Sequence, residues 1–149
     1  MDRQKLCIVI ADGEHARFVV PAPKRAFHTR KSIDSETAHR KSSDLGSDRP
    51  PRSMESATGI GHPIEPKHDL HDLAKEKFAR RVAREVNDTF AQGAFEGLVL
   101  VAPPETANEI QDSLDAAAAV RLVGVLRKDL VKVPDHELAP HLEEWALRD

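Results

Sequence analysis

The sequence has no tyrosine, one tryptophan, two methionines and a single cysteine. With aromatics at only 4% of residues, base stacking has no evident platform. The lone Cys7 excludes a disulfide within the chain. It lies between Leu6 and Ile8 with no cation beside it, so a buried, unreactive thiol is expected. No stretch approaches the ~20 apolar residues that a membrane-spanning helix needs. The first apolar run reaches Asp12 too soon for a signal peptide, so a cytoplasmic protein without a membrane span is expected. Positive charge is not in excess either: 22 Lys and Arg against 25 Asp and Glu leave −3. That excludes a global basic field for nucleic acid but not a local patch. Nucleophile elbow, Walker loop and dinucleotide fingerprint are all missing, and no cofactor is expected.

What is present has the pattern of a covered sheet. At 149 residues the chain is read as one domain, 1–149, large enough to bury a core. Leu98, Val99, Leu100 and Val101 form an apolar run without polar alternation, stopped by Pro103 and Pro104. Such a run hides both faces only near the middle of a sheet, and proline cannot continue the ladder. Leu6 to Ala11 is a second such strand. Asp12-Gly13 signals a hairpin, with glycine supplying positive φ. Ala16 to Val20 returns, Pro21 and Pro23 end it, and Ala26 to Ile33 makes a third, edge strand. A helix is expected from an Asp69 cap to about Ala91, with Leu70, Leu73 or Ala74, Phe78, Val82, Val86 and Phe90 as its inner stripe. Thr106 and Glu109 resemble a capping box for the next helix. Val120 to Leu126 is the fifth strand, and a last helix from about Ala139 would pack Leu138, Leu142 and Trp145.

Between strand three and the first helix, residues 35–67 are rich in Ser, Pro, Gly and charge. They are read as a long irregular insertion, a flexible or partner-ordered arm. The order hairpin, strand, helix, strand, helix, strand predicts an α/β fold. It is a ribonuclease H-like mixed five-stranded sheet, ordered 3-2-1-4-5 and covered by helices. The carboxyl ends of strands one, four and five would then share an edge where such sheets place ligands.

Four groups of residues carry candidate chemistry. Asp12, Glu105 and Asp129 at that edge would suit a divalent metal of a nuclease-like hydrolase. Against this, Asp12 is already explained by its hairpin, and no further strand carboxylate completes a cage. His68 and His71, with His62 and His39, lack the cysteines or HxxxH spacing of a zinc site, and no metal is expected. Lys77, Arg80, Arg81 and Arg84 would grip phosphate, but Glu76–Arg80, Arg81–Glu85 and Arg84–Asp88 have i, i+4 spacing and read as an ion-paired solvent face. Arg40-Lys41, Arg49, Arg52 and Gly59-Ile60-Gly61-His62 make the arm mildly basic.

Several blocks taken together resemble the bacterial host-attachment protein family, whose members are labelled as required for attachment to host cells. These are ADGEHARFVV (11–20), DRPPR through GIGH (48–62), KFARRVA (77–83), LVLVAPP (98–104) and RKDLVKVPDHELAPHL (127–142). That family is similar to the middle domain of archaeal and eukaryotic peptide-chain release factors and of Pelota. The resemblance implies a ribonuclease H-like fold and a link to ribosomes. The Gly-Gly-Gln tripeptide of those release factors is not in this chain, so their peptidyl-tRNA hydrolysis is not expected of it. The expectation is a non-catalytic interaction module whose partner is the ribosome, an RNA or a protein. Asp12, Arg17, Lys128 and Asp129 at the edge, with Arg49, Arg52 and His62 in the arm, would bind. Arg17 and Lys128 supply positive charge, while Asp12 and Asp129 fix the loops.

Overall fold

The computed structural model describes residues 5–36 and 64–147. Five strands run β1 (Leu6–Ala11), β2 (His15–Ala22), β3 (Ala26–Asp34), β4 (Gly97–Val101) and β5 (Leu122–Leu126). They form one sheet in the order β3-β2-β1-β4-β5. β1 pairs antiparallel with β2 and parallel with β4, placing Ile8 opposite Val19 and Val99. Among the described residues the helices are α1 (Ile64–Ala91), α2 (Pro104–Asp112) and α3 (Ala116–Ala119). The mixed five-stranded sheet and its order are those expected from the sequence.

Why the central runs are wholly apolar follows from the two cores. Cys7, Val9, Leu98 and Leu100 face the helices, against Phe78, Val82, Val86 and Ile110. Ile8, Ile10, Val99 and Val101 face the other way, against Leu130, Val131, Leu138 and Leu142. Both faces of β1 and β4 are therefore dry. Each edge strand carries a bulge. Arg30 is the extra residue of β3 and Val123 that of β5, a device that blunts exposed ladders.

Several local expectations are corrected. β2 continues through Pro21 to Ala22, because beyond Val19 the strand has lost its β1 partner and a missing N–H costs nothing there. α1 starts at Ile64, not beyond Asp69, since Pro66 falls in the first turn, where no backbone donor is needed. Leu70 and Leu73 are not part of the buried stripe: they are 66% and 55% exposed, as this end of the helix reaches beyond the sheet. α2 is not capped by Thr106; it begins one turn earlier, with Pro103 as N-cap and Pro104 pre-set for the first turn. Gly13 does not take a positive φ. Its hydrogen is needed instead because a Cβ there would stand 2.8 Å from Lys75 Cγ.

The last helix does not form. Residues 130–146 cover the second face as turns, with 3-10 segments at Asp135–Glu137 and Glu143–Trp145. Pro134 and Pro140 lack the donors that a continuous helix would use, and short i+3 bonds such as Trp145 N to Leu142 O replace them. The packing survives the change: Leu138 and Leu142 are fully buried, and the Trp145 ring lies on Gly124, where a Cβ would meet it at 2.7 Å.

Candidate functional site

Because β1, β4 and β5 are parallel, their carboxyl ends open on one rim. Asp12 follows β1, Pro103 to Thr106 follow β4, and Asp129 follows β5. All of these line one open cavity of about 600 Å³, together with Gly13, Glu14 and Lys75. A narrower furrow of about 340 Å³ continues from it between α1 and α2.

Each rim residue is held by local structure. Asp12 Oδ1 accepts the backbone N–H groups of Glu14 at 2.8 Å and His15 at 2.7 Å, and its own N–H donates to the His15 carbonyl at 2.8 Å. One carboxylate oxygen thus builds the hairpin at the edge of the cavity. Glu105 sits in the first turn of α2, where the helix dipole favours an acid. The corner before Asp129 is tied to α2 by Arg127, which donates to Asn108 Oδ1 at 3.1 Å and Gln111 Oε1 at 3.5 Å. Lys75 reaches the rim across Gly13. It continues the inner side of α1, one turn before Ala79, and following that stripe past the sheet would have revealed it.

Of the residues singled out in sequence, Asp12, Glu105 and Asp129 therefore converge. Lys128 is exposed beside Asp129 but does not line the cavity. Arg17 is elsewhere. It projects from β2 on the face opposite the helices, where it donates to the carbonyls of Val133 and, at 3.3 Å, Leu130, and stands 3.5 Å from Asp135. Only 13% of its side chain is exposed, and burial lowers its pKa despite Asp135. Its charge is used to hold the C-terminal segment. Arg49, Arg52, His62 and the arm around them lie outside the described residues.

Of the expected i, i+4 ion pairs of α1, Glu76–Arg80 forms. Arg80 stands 4.0 Å from Glu76 and 3.4 Å from Glu109. Arg81 donates to the Asp34 carbonyl, and Glu85 is taken by Lys31. The Arg81–Glu85 and Arg84–Asp88 pairs do not form.

Chemically the rim is acidic. Among the described residues, Asp12, Glu14, Glu105 and Asp129 line the cavity with Lys75, and the adjoining furrow adds Asp72, Glu76, Glu109 and Asp112. Such a surface repels phosphate and attracts ammonium or guanidinium groups. Among the described residues, no three His, Cys, Asp or Glu side chains are grouped closely enough to hold a metal ion. No described helix is long and apolar enough to cross a membrane.

Comparison with known proteins follows the same lines. A family model described as a protein required for attachment to host cells matches residues 7–142. No curated protein matches. Among solved structures, an archaeal translation termination factor, aRF1, superposes with a TM-score of 0.50 at 12% identity, covering 94% of this chain and 38% of that one. Another, described as an archaeal protein, gives 0.47 at 11% identity, with 94% and 36% covered. The chain thus spans well under two thirds of either, and at such identities the likeness to aRF1 is one of fold.

Proposed function

We propose that this chain, which belongs to the family of proteins required for attachment to host cells, is a non-catalytic interaction module that holds a protein partner on its acidic rim. The observation that carries the reading is the convergence of Asp12, Glu105 and Asp129 on one cavity whose described lining includes one lysine. Three loop corners on a rigid sheet make a precise docking point, and their charge selects a partner bearing Lys or Arg. Lys128, beside Asp129, would add a peripheral contact, as would Arg49, Arg52 and His62 in the arm. With Arg17 committed to the C-terminal segment and Lys75 outnumbered by acids among the described lining residues, a basic protein is favoured over nucleic acid.

The fold likeness to a translation termination factor makes the ribosome, which carries both basic proteins and RNA, the partner to test first. The module would then act in the cytoplasm, and attachment to host cells would follow indirectly. Co-sedimentation of the purified protein with ribosomes across a salt series is the test. Binding should weaken as salt rises and fall at least tenfold in Glu105→Lys/Asp129→Lys. Binding indifferent to both changes overturns the rim as the contact.

A second reading, a metal-dependent hydrolase acting on nucleic acid with Asp12, Glu105 and Asp129, shares this cavity, but the three acids are not grouped closely enough to hold a metal ion. Manganese-dependent cleavage of labelled RNA, abolished by Asp12→Asn, would establish it in place of the first.

A further inference from the structure

The side of α1 turned away from the sheet has a different character from the rim. Phe78, Ala79, Val82, Ala83, Val86 and Phe90 are buried, which fixes the inward side. On the opposite side, at i, i+3, i+7, i+11 and i+14, stand Leu70, Leu73, Lys77, Arg81 and Arg84, all exposed. The two leucines are the most exposed large apolar side chains of the described helices. Lys77 and Arg84 make no ion pair or hydrogen bond among the described residues, and Arg81 gives its bond to a neutral carbonyl. Of the described acids in the same half of the helix, Asp72 and Glu76 line the furrow beside α2.

We propose that this outward side of α1 docks an acidic protein segment, an amphipathic helix whose leucine-type side chains meet Leu70 and Leu73 while its carboxylates meet Lys77, Arg81 and Arg84. Among the described residues no acid on this side lies between the leucines and Arg84, so Lys77 sets the sign of the partner there. Arg81 and Arg84 share a groove with Glu85, Asp88 and Asp115 at the far end. The leucines select its class. Phosphate backbones have no use for a pair of exposed aliphatic side chains, and no aromatic residue lies on this side to stack a base. A second copy of the chain is disfavoured, since two such faces would bring cations against cations. The footprint from Leu70 to Arg84 covers 15 residues, about 21 Å along the axis at ~1.5 Å per residue, the length of a four-turn partner helix. The site is independent of the rim, so either can fail without the other.

The test is fluorescence anisotropy with a labelled helical peptide carrying a leucine stripe flanked by glutamates. Its lysine-for-glutamate analogue and a labelled single-stranded RNA serve as comparisons. The glutamate peptide should bind tightest, weaken steeply with salt, and lose at least tenfold in Lys77→Glu/Arg84→Glu. Leu73→Ser, which leaves the charge untouched, should lose several-fold. Thermal melting of both variants should match the parent, since none of the three residues is buried. Equal binding of the lysine analogue, tighter binding of the RNA, no binding of the glutamate peptide, or indifference to both substitutions each overturns the proposal.

Discussion

At the scale of single residues, the most connected group on the second face is Asp135. It accepts from the Thr29 N–H at 2.9 Å and the Thr29 hydroxyl at 2.6 Å, and it faces Arg17 at 3.5 Å. Burial pushes its pKa up, but the Thr29 hydrogen bonds and the charges of Arg17 and His28 outweigh burial and hold it below the ordinary carboxylate value. Asp135→Ala would strip a strand N–H and a mostly buried guanidinium of their partner, at a cost of about 1–3 kcal/mol in urea unfolding. A lowered folded pKa means the native state favours the ionised form. The stabilisation is whole above the ordinary carboxylate range near pH ~4 and is lost as pH falls through the lowered value. The stability gap between the parent and Asp135→Asn should therefore close on acidification and not on alkalinisation. Cys7 is the other residue with a clear expectation: burial pushes its thiol up to about 12. It should stay unmodified by a thiol reagent at pH 8 until denaturant unfolds the sheet. An inert thiol was legible from Leu6 and Ile8 beside it; the role of Arg17 was not, because the carbonyls it holds lie more than a hundred positions away in the chain.

Among the elements, strands were read more faithfully than turns, for a physical reason. Apolar runs such as Leu98–Val101 are dictated by burial on two faces, whereas turn geometry is decided by a few backbone angles. The β2–β3 connection shows this: Lys24 and Arg25 adopt φ of 63° and 59° although neither is glycine. A left-handed conformation costs a side chain roughly 1–2 kcal/mol, and nothing in the residue types announced it. Arg25→Gly should raise stability by about 1 kcal/mol, seen as a higher melting temperature, since Arg25 gives up only a long 3.9 Å contact to Glu143. Gly124 is the opposite case. Gly124→Ala would drive a methyl into the Trp145 ring, 2.7 Å away, and should cost about 1–3 kcal/mol by loosening the C-terminal cover. That cover also marks where helix expectation failed. Leu138, Leu142 and Trp145 have helical spacing, yet Pro134 and Pro140 deny the ladder its donors.

For the whole molecule, a net charge of −3 conceals two surfaces of opposite sign, an acidic rim and a basic outer side of α1. The rim was visible in sequence because strand order alone brings Asp12, Glu105 and Asp129 together. The polarity of α1 was not. Its acids and bases have the spacing of mutual pairs, and while Glu76–Arg80 forms, packing against α2 and β3 brings Glu109 to Arg80 and gives Glu85 to Lys31. Segregated charge makes the module two-sided, and the sides should act separately. At ~0.15 M salt the screening length is about 8 Å, shorter than the width of a helix with its side chains, which is about 10–12 Å. Reversing the rim with Glu105→Lys/Asp129→Lys should then leave the glutamate-peptide affinity within twofold. Reversing Lys77 and Arg84 should do the same for the rim's partner. Combining all four substitutions should give free-energy changes that add for each ligand. At ~0.01 M salt, where the screening length grows to about 30 Å, the same variants should begin to influence each other, the rim reversal strengthening the acidic peptide. Coupling that persists at high salt would mean that the two surfaces grip one continuous partner.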